Sequence, residues 1–282
     1  MKRLLITGAS GDLGRPLSAL ATRSWETVGT FFRHANIGGG TAVQLDLRNR
    51  QAVLDLVEQV KPTAIIHAGT SDRSEDMAAA NRAAAHNISE AAQRAKCRLI
   101  ALSTDLIFDG KHPPYDEQAP PTPISPYGQV KAENERTFLN TPDCLIVRTS
   151  LIYDLARTNR QVSWMLEKIE ARETVPLFTD EIRQPIWAWN LAEALLELAT
   201  NELSGILHVA GPQPLSRYEY GSRLLHALGY DPIQVVRPVR AADMMPERPR
   251  DCTLSLEKAF ACLRTPLLPV DEALRRAKTG KL

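Results

Sequence analysis

The sequence predicts an α/β protein, in which a doubly wound parallel sheet is followed by a smaller C-terminal α+β cap. Short apolar runs alternate with longer helical patterns through residues 1–152, a rhythm typical of β-α-β units. A glycine-rich turn joins the first apolar run to the first helical pattern. Beyond residue 150 the rhythm is lost, and proline becomes dense at 232–249. Ligands of parallel sheets bind beyond the carboxyl ends of the strands, so we expect the cap to complete a cleft there.

The individual elements follow from hydrophobic periodicity. Strands are predicted at residues 3–7, 27–32, 42–45, 63–67, 98–102 and 145–148, and helices at 12–24, 49–60, 75–95 and 126–139. Further along the chain, helices are predicted at 160–171, 191–200 and 217–228, with a strand at 206–209. We therefore assign residues 1–152, together with about 176–202, to the sheet domain, and residues 153–175 and 203–282 to the cap.

Bulk composition excludes several classes of protein. The chain has 282 residues and a formal net charge of +1, so no basic field predicts nucleic acid as a partner. Its four cysteines (Cys97, Cys144, Cys252 and Cys262) form no Cys-x-x-Cys pair, which favours reduced thiols over disulfides or a metal site. The first apolar run is too short for a signal peptide, and none approaches the roughly 18 residues of a membrane span. We expect a cytoplasmic protein without a membrane partner, and the sequence leaves a homodimer open.

The turn after the first strand predicts a phosphate-binding site. Glycines stand at 8, 11 and 14, between the strand at 3–7 and a helical pattern. Glycine permits a tight turn and close approach of the backbone to a pyrophosphate, and the helix N-terminus offers free N–H groups. The turn therefore indicates a Rossmann domain that binds a dinucleotide through Gly8, Ser10, Gly11, Asp12, Leu13 and Gly14.

The ends of the second and third strands predict the adenosine side of that site. NAD-specific sites usually carry an Asp or Glu after the second strand, to accept hydrogen bonds from the ribose 2′-hydroxyl. Here Arg33 stands in that place, and its guanidinium can pair with a 2′-phosphate. Asp46 closes the third strand and, with Leu47 beside it, suits the adenine edge. We therefore predict that NADP(H) is preferred and that NAD(H) can also bind.

A Tyr-x-x-x-Lys motif predicts proton-transfer chemistry. Ser125 and Pro126 form a good helix start, so Tyr127 and Lys131 share one face of the helix that follows. An ammonium group and a helix N-terminus both stabilise a phenolate, which suits Tyr127 to exchange a proton with a carbonyl or alcohol. Ser103 and Thr104 follow the strand at 98–102, at the edge where such sheets bind ligands, and a hydroxyl there can bond a substrate oxygen.

Two buried polar positions allow more than one interpretation. Asn81 lies on the apolar stripe of the helix at 75–95, where its amide either bonds local backbone or supports the site. His67 ends the strand at 63–67, within Ile65-Ile66-His67-Ala68-Gly69, and we interpret it as a structural histidine with satisfied hydrogen bonds.

The glycine spacing, with Thr7 in front, resembles the extended short-chain dehydrogenase/reductase family. Residues 102–110 (Leu-Ser-Thr-Asp-Leu-Ile-Phe-Asp-Gly), residues 125–133 (Ser-Pro-Tyr-Gly-Gln-Val-Lys-Ala-Glu) and the Arg-Pro stretch at 248–254 resemble dTDP-4-dehydrorhamnose reductases and their sugar-nucleotide relatives. The resemblance implies reduction of a 4-keto sugar nucleotide, with hydride from the nicotinamide and a proton from Tyr127.

The same resemblance implies roles for individual residues. Thr104, Tyr127 and Lys131 would act together in catalysis, with Asn81 relaying to Lys131. Ala68, Gly69 and Thr70 would line the cofactor beside Tyr127 and Lys131. Substrate would meet Ser103, Thr104, Asp105, Trp164, Arg183, Gln184 and Arg248, with Arg217 as a further candidate.

Departures from the family pattern fall on the substrate side and leave alternatives open. His67-Ala68-Gly69-Thr70 replaces the common Asn-Ala-Ala-x-Tyr-Thr, and Arg183 replaces a smaller residue. Leu106 stands where Tyr is common, and where a 4,6-dehydratase would carry Glu, so we set the dehydratase aside. Two alternatives to a reductase stay open: a sugar-nucleotide epimerase, and a binding protein resembling the regulatory β subunit of methionine adenosyltransferase.

Overall fold

The computed structural model describes residues 2–69, 76–156 and 159–279. Within these ranges the strands are β1 (Arg3–Thr7), β2 (Glu26–Phe31), β3 (Thr41–Gln44), β4 (Ala64–His67), β5 (Arg98–Thr104), β6 (Cys144–Thr149), β7 (Ile152–Tyr153), β8 (Val175–Phe178), β9 (Ile182–Arg183), β10 (Ile186–Trp187), β11 (Gly205–His208), β12 (Leu215–Ser216) and β13 (Val236–Val239).

The helices alternate with the strands of the N-terminal half and dominate the C-terminal third. They are α1 (Gly14–Ala21), α2 (Arg50–Val60), α3 (Met77–Ala95), α4 (Pro126–Leu139), α5 (Arg160–Glu170), α6 (Ala188–Leu198), α7 (Arg217–Ala227), α8 (Pro232–Val235), α9 (Ala241–Met244), α10 (Glu257–Cys262) and α11 (Val270–Thr279), with a 3-10 turn at Asp105–Ile107.

Seven parallel strands form the main sheet in the order β11-β6-β5-β4-β1-β2-β3. The order reverses beside β1, which confirms the predicted doubly wound α/β fold. Strand β11 closes one edge, so residues 205–208 form a strand of the main sheet although the predicted boundary at 203 places them in the cap.

Both faces of the sheet are buried, because successive side chains of a strand point to opposite faces. In β1, Leu4 and Ile6 pack into a core with helices α1 and α6. Leu5 packs on the other face, with α2, α3 and α4. The central strands are therefore near-continuous apolar runs, and a charged residue inside one of them requires a buried partner.

Most differences from the predicted elements are shifts of one or two residues at the ends. Strand β5 continues to Thr104, so Ser103 and Thr104 are its last residues and do not follow it. Helix α1 begins at Gly14, which leaves Asp12 and Leu13 in the turn before the helix. Asn49 is the N-cap of α2, where its side chain accepts a hydrogen bond from the Ala52 N–H.

The cap has a core of its own. Tyr153, Val162, Leu177, Tyr220 and Leu274 share it, drawn from β7, α5, β8, α7 and α11. Leu177 and Trp187 pack in this core although the predicted bounds assign residues 176–202 to the sheet domain, so we describe β8 to β10 with the cap side. Several of its elements are two-residue strands, whose pairing the sequence pattern did not indicate. Among the described residues, no helix combines the length and the apolar character needed to cross a bilayer.

Candidate active site

Two of the glycines in the first turn are required by the packing of the turn itself. Gly8 has φ of +71°, and a Cβ on it would lie 2.7 Å from the Gly69 Cα. A Cβ on Gly14 would lie 2.1 Å from the Gly8 carbonyl oxygen. Gly11 differs, because the nearest atom to its added Cβ is the Gly8 oxygen at 3.3 Å. Apart from its chain neighbours, no other described atom lies within 4 Å of that added Cβ, so Gly11 is less crowded by the turn than Gly8 and Gly14.

Asp12 connects this turn to the start of the cap. Its carboxylate pairs with Arg15 at 3.2 Å and accepts a hydrogen bond from the Asn159 amide at 3.0 Å. The same Asn159 caps helix α5 by accepting from the Gln161 and Val162 N–H groups. Burial raises the pKa of Asp12, and Arg15 opposes that shift. The nearby Ser10 carbonyl also accepts from Arg15, so the turn is held by its own side chains.

Two arginines and an aspartate lie at the ends of β2 and β3, where the sequence predicts the adenosine side of the cofactor site. The guanidinium carbons of Arg33 and Arg48 each lie 5.6 Å from the centre of the Phe32 ring. Arg48 pairs with Asp46 at 2.6 Å, and this hydrogen bonding lowers the pKa of Asp46. Asp46 is therefore paired with Arg48 at the place where the 2′-phosphate is predicted.

The strand end of β4 faces the phosphate turn. The Gly69 N–H donates to the Thr7 hydroxyl at 3.2 Å, and the Ala68 N–H donates to the Thr7 carbonyl at 3.3 Å. A Cβ on Gly69 would meet the Leu47 side chain at 2.8 Å, so Leu47 lies against this strand end. Thr70, the third residue predicted at this position, lies outside the described residues.

His67 is fully buried beside the same turn. Its Nδ1 lies 2.8 Å from the Thr7 hydroxyl, and its ring packs against Phe138. Burial lowers its pKa from the ordinary 6.5 to about 3, and the nearby charge of Lys131 acts in the same direction. The imidazole is therefore neutral and hydrogen-bonded, in keeping with the structural role predicted for it.

Helix α4 brings Tyr127 and Lys131 to the end of β5. The Ser125 hydroxyl caps the helix by accepting from the Gly128 N–H at 3.1 Å. A Cβ on Gly128 would lie 2.2 Å from the Leu106 carbonyl oxygen, so only glycine lets the helix approach the 3-10 turn this closely. Tyr127, the residue before this contact, is half-buried.

Lys131 is held inside the protein at the end of β5. Its side chain is 3% exposed, and its Nζ donates to the Leu102 carbonyl at 2.6 Å. Burial lowers its pKa to about 8, while the Glu135 carboxylate one turn along the helix acts in the opposite direction. Thr104 ends the same strand as Leu102, and its hydroxyl donates to Asp105 and accepts from the Leu106 N–H, both at 3.3 Å.

Asn81 lies in α3 against this helix. Its side-chain amide donates to the Met77 carbonyl at 3.0 Å, and its backbone carbonyl accepts from the Asn134 side chain at 3.3 Å. The side chain thus bonds local backbone, one of the two alternatives that the sequence left open, and the backbone of Asn81 joins α3 to α4 one turn beyond Lys131. The relay to Lys131 stays a prediction.

A buried ion pair lies beneath these residues, and sequence reasoning missed it. Glu135 of α4 pairs with Arg148 of β6 at 2.9 Å, and both are almost fully buried. The Ser103 hydroxyl donates to Glu135, and Arg148 lies 3.4 Å from the His208 Nε2. The sequence did contain a sign of this pair, because Arg148 follows four apolar residues of a buried strand, where a charge needs a partner.

The residues predicted to contact substrate divide into two groups. Asp105 and Arg183 form a second buried ion pair, in which Arg183 Nε donates to Asp105 at 2.8 Å. The Gln184 side chain is buried and bonds the Leu254 backbone. Trp164 and Arg248, in contrast, are 36% and 38% exposed. Asp105, Arg183 and Gln184 therefore form contacts within the protein, whereas Trp164 and Arg248 are accessible to solvent.

Arginines converge on Glu181 at the cap side. Arg248 pairs with Glu181 at 2.9 Å, and Arg183 lies 3.9 Å from the same carboxylate. The charges of Glu181, Arg183 and Arg248 also act on Arg217, whose pKa is lowered by burial. Among the described residues, the Arg217 guanidinium has no hydrogen-bond partner. The cluster carries more positive than negative side chains and suits an anionic group.

The parallel sheet, the glycine turn and the Thr104, Tyr127 and Lys131 arrangement define an NAD(P)-dependent oxidoreductase of the extended short-chain dehydrogenase/reductase type. Comparison with known proteins narrows this class. The family described as RmlD substrate binding domain matches residues 1–279, and the chain belongs to that family.

Individual relatives extend the comparison. The chain is 32% identical to a dTDP-4-keto-6-deoxy-D-glucose reductase of Streptomyces niveus, over 84% of this chain and 82% of that protein. It is 29% identical to the methionine adenosyltransferase 2 subunit beta of Xenopus tropicalis, over 94% of this chain and 84% of that one. A dTDP-4-dehydrorhamnose reductase of Bacillus anthracis, solved in complex with NADP, has the same fold, with a TM-score of 0.84 at 24% identity over 99% of this chain and 100% of that one.

Proposed function

We propose that the protein uses NADPH to reduce the 4-keto group of a nucleotide-linked sugar, with Tyr127 as the proton donor. One observation carries the proposal: the Lys131 ammonium is buried and fixed on the Leu102 carbonyl, one helical turn from Tyr127 and beside the strand that ends in Thr104. A buried cation at that position has a role in catalysis that a surface Tyr-x-x-x-Lys pair would not have.

The cofactor would lie along the carboxyl ends of β1, β2 and β4. The open side of Gly11 and the N-terminus of α1 would receive the pyrophosphate, and Arg33 the 2′-phosphate. When bound, NADPH supplies the hydride. The related B. anthracis reductase shares the fold and was solved with NADP, so the fold accommodates this cofactor. The Arg33 side chain favours NADPH, and NADH remains a usable second cofactor.

The chain's own residues would move and hold the proton. Thr104 would donate its hydroxyl to the carbonyl oxygen of the substrate and so polarise it. Tyr127 would then give its phenolic proton to that oxygen, and Lys131 would stabilise the phenolate that remains. The α4 N-terminus contributes in the same direction, because its dipole favours negative charge. Asn81, which joins α3 to α4, would hold the helix in register for this transfer.

The substrate class follows from the cap-side arginines. A nucleotide-linked sugar carries a diphosphate, and guanidinium groups bind phosphate oxygens in pairs. Arg217 and Arg248 are the two arginines of the Glu181 cluster that remain outside the Asp105 ion pair. We assign the diphosphate to them and the adjoining face of the cleft to Trp164.

A screen of NADPH oxidation against nucleotide-linked 4-keto sugars tests the proposal. We expect turnover with at least one member, and none with the corresponding free keto sugars, because these lack the diphosphate. No turnover with any member would overturn the proposal. One observation favours a second function: similarity over 94% of the chain to a methionine adenosyltransferase β subunit. A stable complex with a methionine adenosyltransferase catalytic subunit, without turnover, would support that alternative.

A further inference from the structure

Burial of the ion pair between Glu135 and Arg148 has a free-energy cost. Glu135 and Arg148 are 3% and 2% exposed, and removing two charges from water costs several kcal/mol per ion before they attract each other. Apolar pairs of similar volume are often as stable as buried ion pairs. The retention of this pair at the catalytic strand therefore calls for a role that an apolar pair could not fill.

Consecutive residues of β5 are tied to one face of α4. Lys131 donates to the Leu102 carbonyl, and the next residue, Ser103, donates its hydroxyl to Glu135. Lys131 and Glu135 are four residues apart, so their side chains are neighbours on that face. The Glu135 carboxylate and the Lys131 ammonium are thus both bonded to the end of β5. Arg148 donates to the second carboxylate oxygen of Glu135 at 2.9 Å, which fixes the carboxylate in this position.

The charged groups that face Lys131 are few. On its own helix the partner is Glu135, whose charge opposes the effect of burial on the pKa of Lys131. From β4 the facing group is His67, which is neutral at ordinary pH. Tyr127 lies one turn before Lys131 on the same helix, and Ser103 of β5 carries no charge. Of the described groups on these elements, Glu135 alone offers a negative charge to the ammonium.

We propose that Glu135 is a positioning residue of the active site: its carboxylate, fixed by Arg148 and Ser103, keeps Lys131 protonated and seated on the Leu102 carbonyl. Arg148 in turn supplies the counter-charge that pairs with Glu135 inside the protein. The inference rests on the proposed function for its catalytic meaning, since a charged Lys131 matters there because it stabilises the Tyr127 phenolate. The placement of charge itself does not depend on the substrate.

Titration of Lys131 in the cofactor-free protein tests this inference directly. The Cε resonance of Lys131 would be followed by ¹³C NMR as pH is raised, and assigned by its loss in Lys131→Met. Glu135→Gln keeps the shape and the hydrogen-bonding oxygen but removes the charge. We expect it to lower the titration midpoint of Lys131 by at least about one pH unit. Glu133→Gln is the matched control, because Glu133 pairs with Arg82 on the exposed side of the same helix, and we expect no shift.

A second variant covers the case in which the Glu135→Gln protein does not fold because the buried Arg148 has lost its counter-charge. The double substitution Glu135→Gln with Arg148→Met removes both charges, and we expect a smaller downward shift of the midpoint. An unchanged midpoint in the folded variants, or an equal shift in Glu133→Gln, would overturn the inference. With a substrate in hand, the alkaline limb of the kcat/KM profile should move to lower pH in Glu135→Gln. If the protein reduces no keto-sugar nucleotide, the proposed function fails, while the NMR titration still decides the role of Glu135.

Discussion

Buried ion pairs stand on both sides of Thr104, and the sheet domain and the cap side use them differently. In the sheet domain, Glu135 and Arg148 join α4 to β6 and reach the strand end through Ser103. On the cap side, Asp105 and Arg183 join the same strand end to β9. The first pair places a negative charge beside Lys131. The second holds the segment at 180–185 against the sheet.

The predicted catalytic residues lie in the sheet domain, whereas the predicted substrate contacts lie mostly on the cap side. In the sheet domain, the charged and glycine residues hold the backbone and the catalytic helix where the motifs predict them. On the cap side, some side chains that the sequence predicts to contact substrate instead form hydrogen bonds within the protein. Asp105 and Gln184 are examples. Under the proposed function, recognition of the sugar nucleotide would fall to the cap residues Trp164, Arg217 and Arg248.

The largest expected effect comes from breaking the cap-side pair. Asp105→Asn removes the hydrogen-bonded counter-charge of the buried Arg183, and we expect the free energy of unfolding to fall by about 3–5 kcal/mol in urea titrations. The matched control is Asp271→Asn, which breaks an Asp–Arg pair at the surface and should cost no more than about 1 kcal/mol. If the two variants lose equal stability, the segment at 180–185 is not held by the Asp105 pair.

Substitutions in the glycine turn separate cofactor binding from folding. Gly11→Val fills the open side of the turn, and we expect NADPH affinity to fall about 100-fold, because several charge-assisted hydrogen bonds to the pyrophosphate are lost. Its unfolding curve should match that of the wild type. Gly14→Ala should instead destabilise the fold, since its Cβ would meet the Gly8 oxygen at 2.1 Å. Nicotinamide fluorescence titration and thermal melts would check both, and normal NADPH binding by Gly11→Val would refute the assignment.

Acid sensitivity probes the buried histidine of the sheet domain. The folded-state pKa of His67 is about 3 and its ordinary value is 6.5, so the unfolded chain takes up a proton first as pH falls. The stability from this group is present above pH 6.5 and is lost toward pH 3. Between pH 7 and 5 the wild type should lose about 2 kcal/mol more than His67→Asn, which keeps a bonding group near Thr7. His86→Asn, at an exposed site of α3, should behave as the wild type does. Equal pH dependence in the wild type and His67→Asn would show that His67 is not held neutral.

An effect of similar size is expected on cofactor choice. We expect the wild type to prefer NADPH by about tenfold or more, since one charge-assisted pair is worth around 1.5–3 kcal/mol. Arg33→Ala should weaken NADPH and leave NADH nearly unchanged, whereas Arg23→Ala, at an exposed position after α1, should change neither. If the Arg33→Ala protein keeps the preference for NADPH, another residue must contact the 2′-phosphate, and Arg48 would be tested next.

The sheet domain was predictable because its signals are local. The glycine spacing at 8, 11 and 14, the Ser125-Pro126 helix start and the four-residue step from Tyr127 to Lys131 each lie within one turn or one helix. The bounds of β1 and α4 came out as the periodicity predicts. The sequence also placed Thr104 at the correct edge, because the carboxyl ends of parallel strands converge there.

The cap side was less predictable because its contacts are distant in sequence. Asp105 and Arg183 lie 78 residues apart, and no periodicity links them. Strands such as β9 and β12 are two residues long, too short to show alternation. Residues 205–208 complete the main sheet as β11 although they follow a cap-like stretch. The partners of Asp105 and Gln184 emerged only in three dimensions, so the sequence could not show that these two side chains bond within the protein.

Transfer of deuterium from labelled NADPH tests the central claim most directly. With NADPH deuterated at the transferable position of the nicotinamide, a nucleotide-linked 4-keto sugar should gain one deuterium at its C4, as read by mass spectrometry. Tyr127→Phe should bind NADPH normally and slow this transfer at least about 100-fold, and Tyr230→Phe, in the cap core, should transfer at the wild-type rate. A product without deuterium at C4, or an unimpaired Tyr127→Phe protein, would contradict the account.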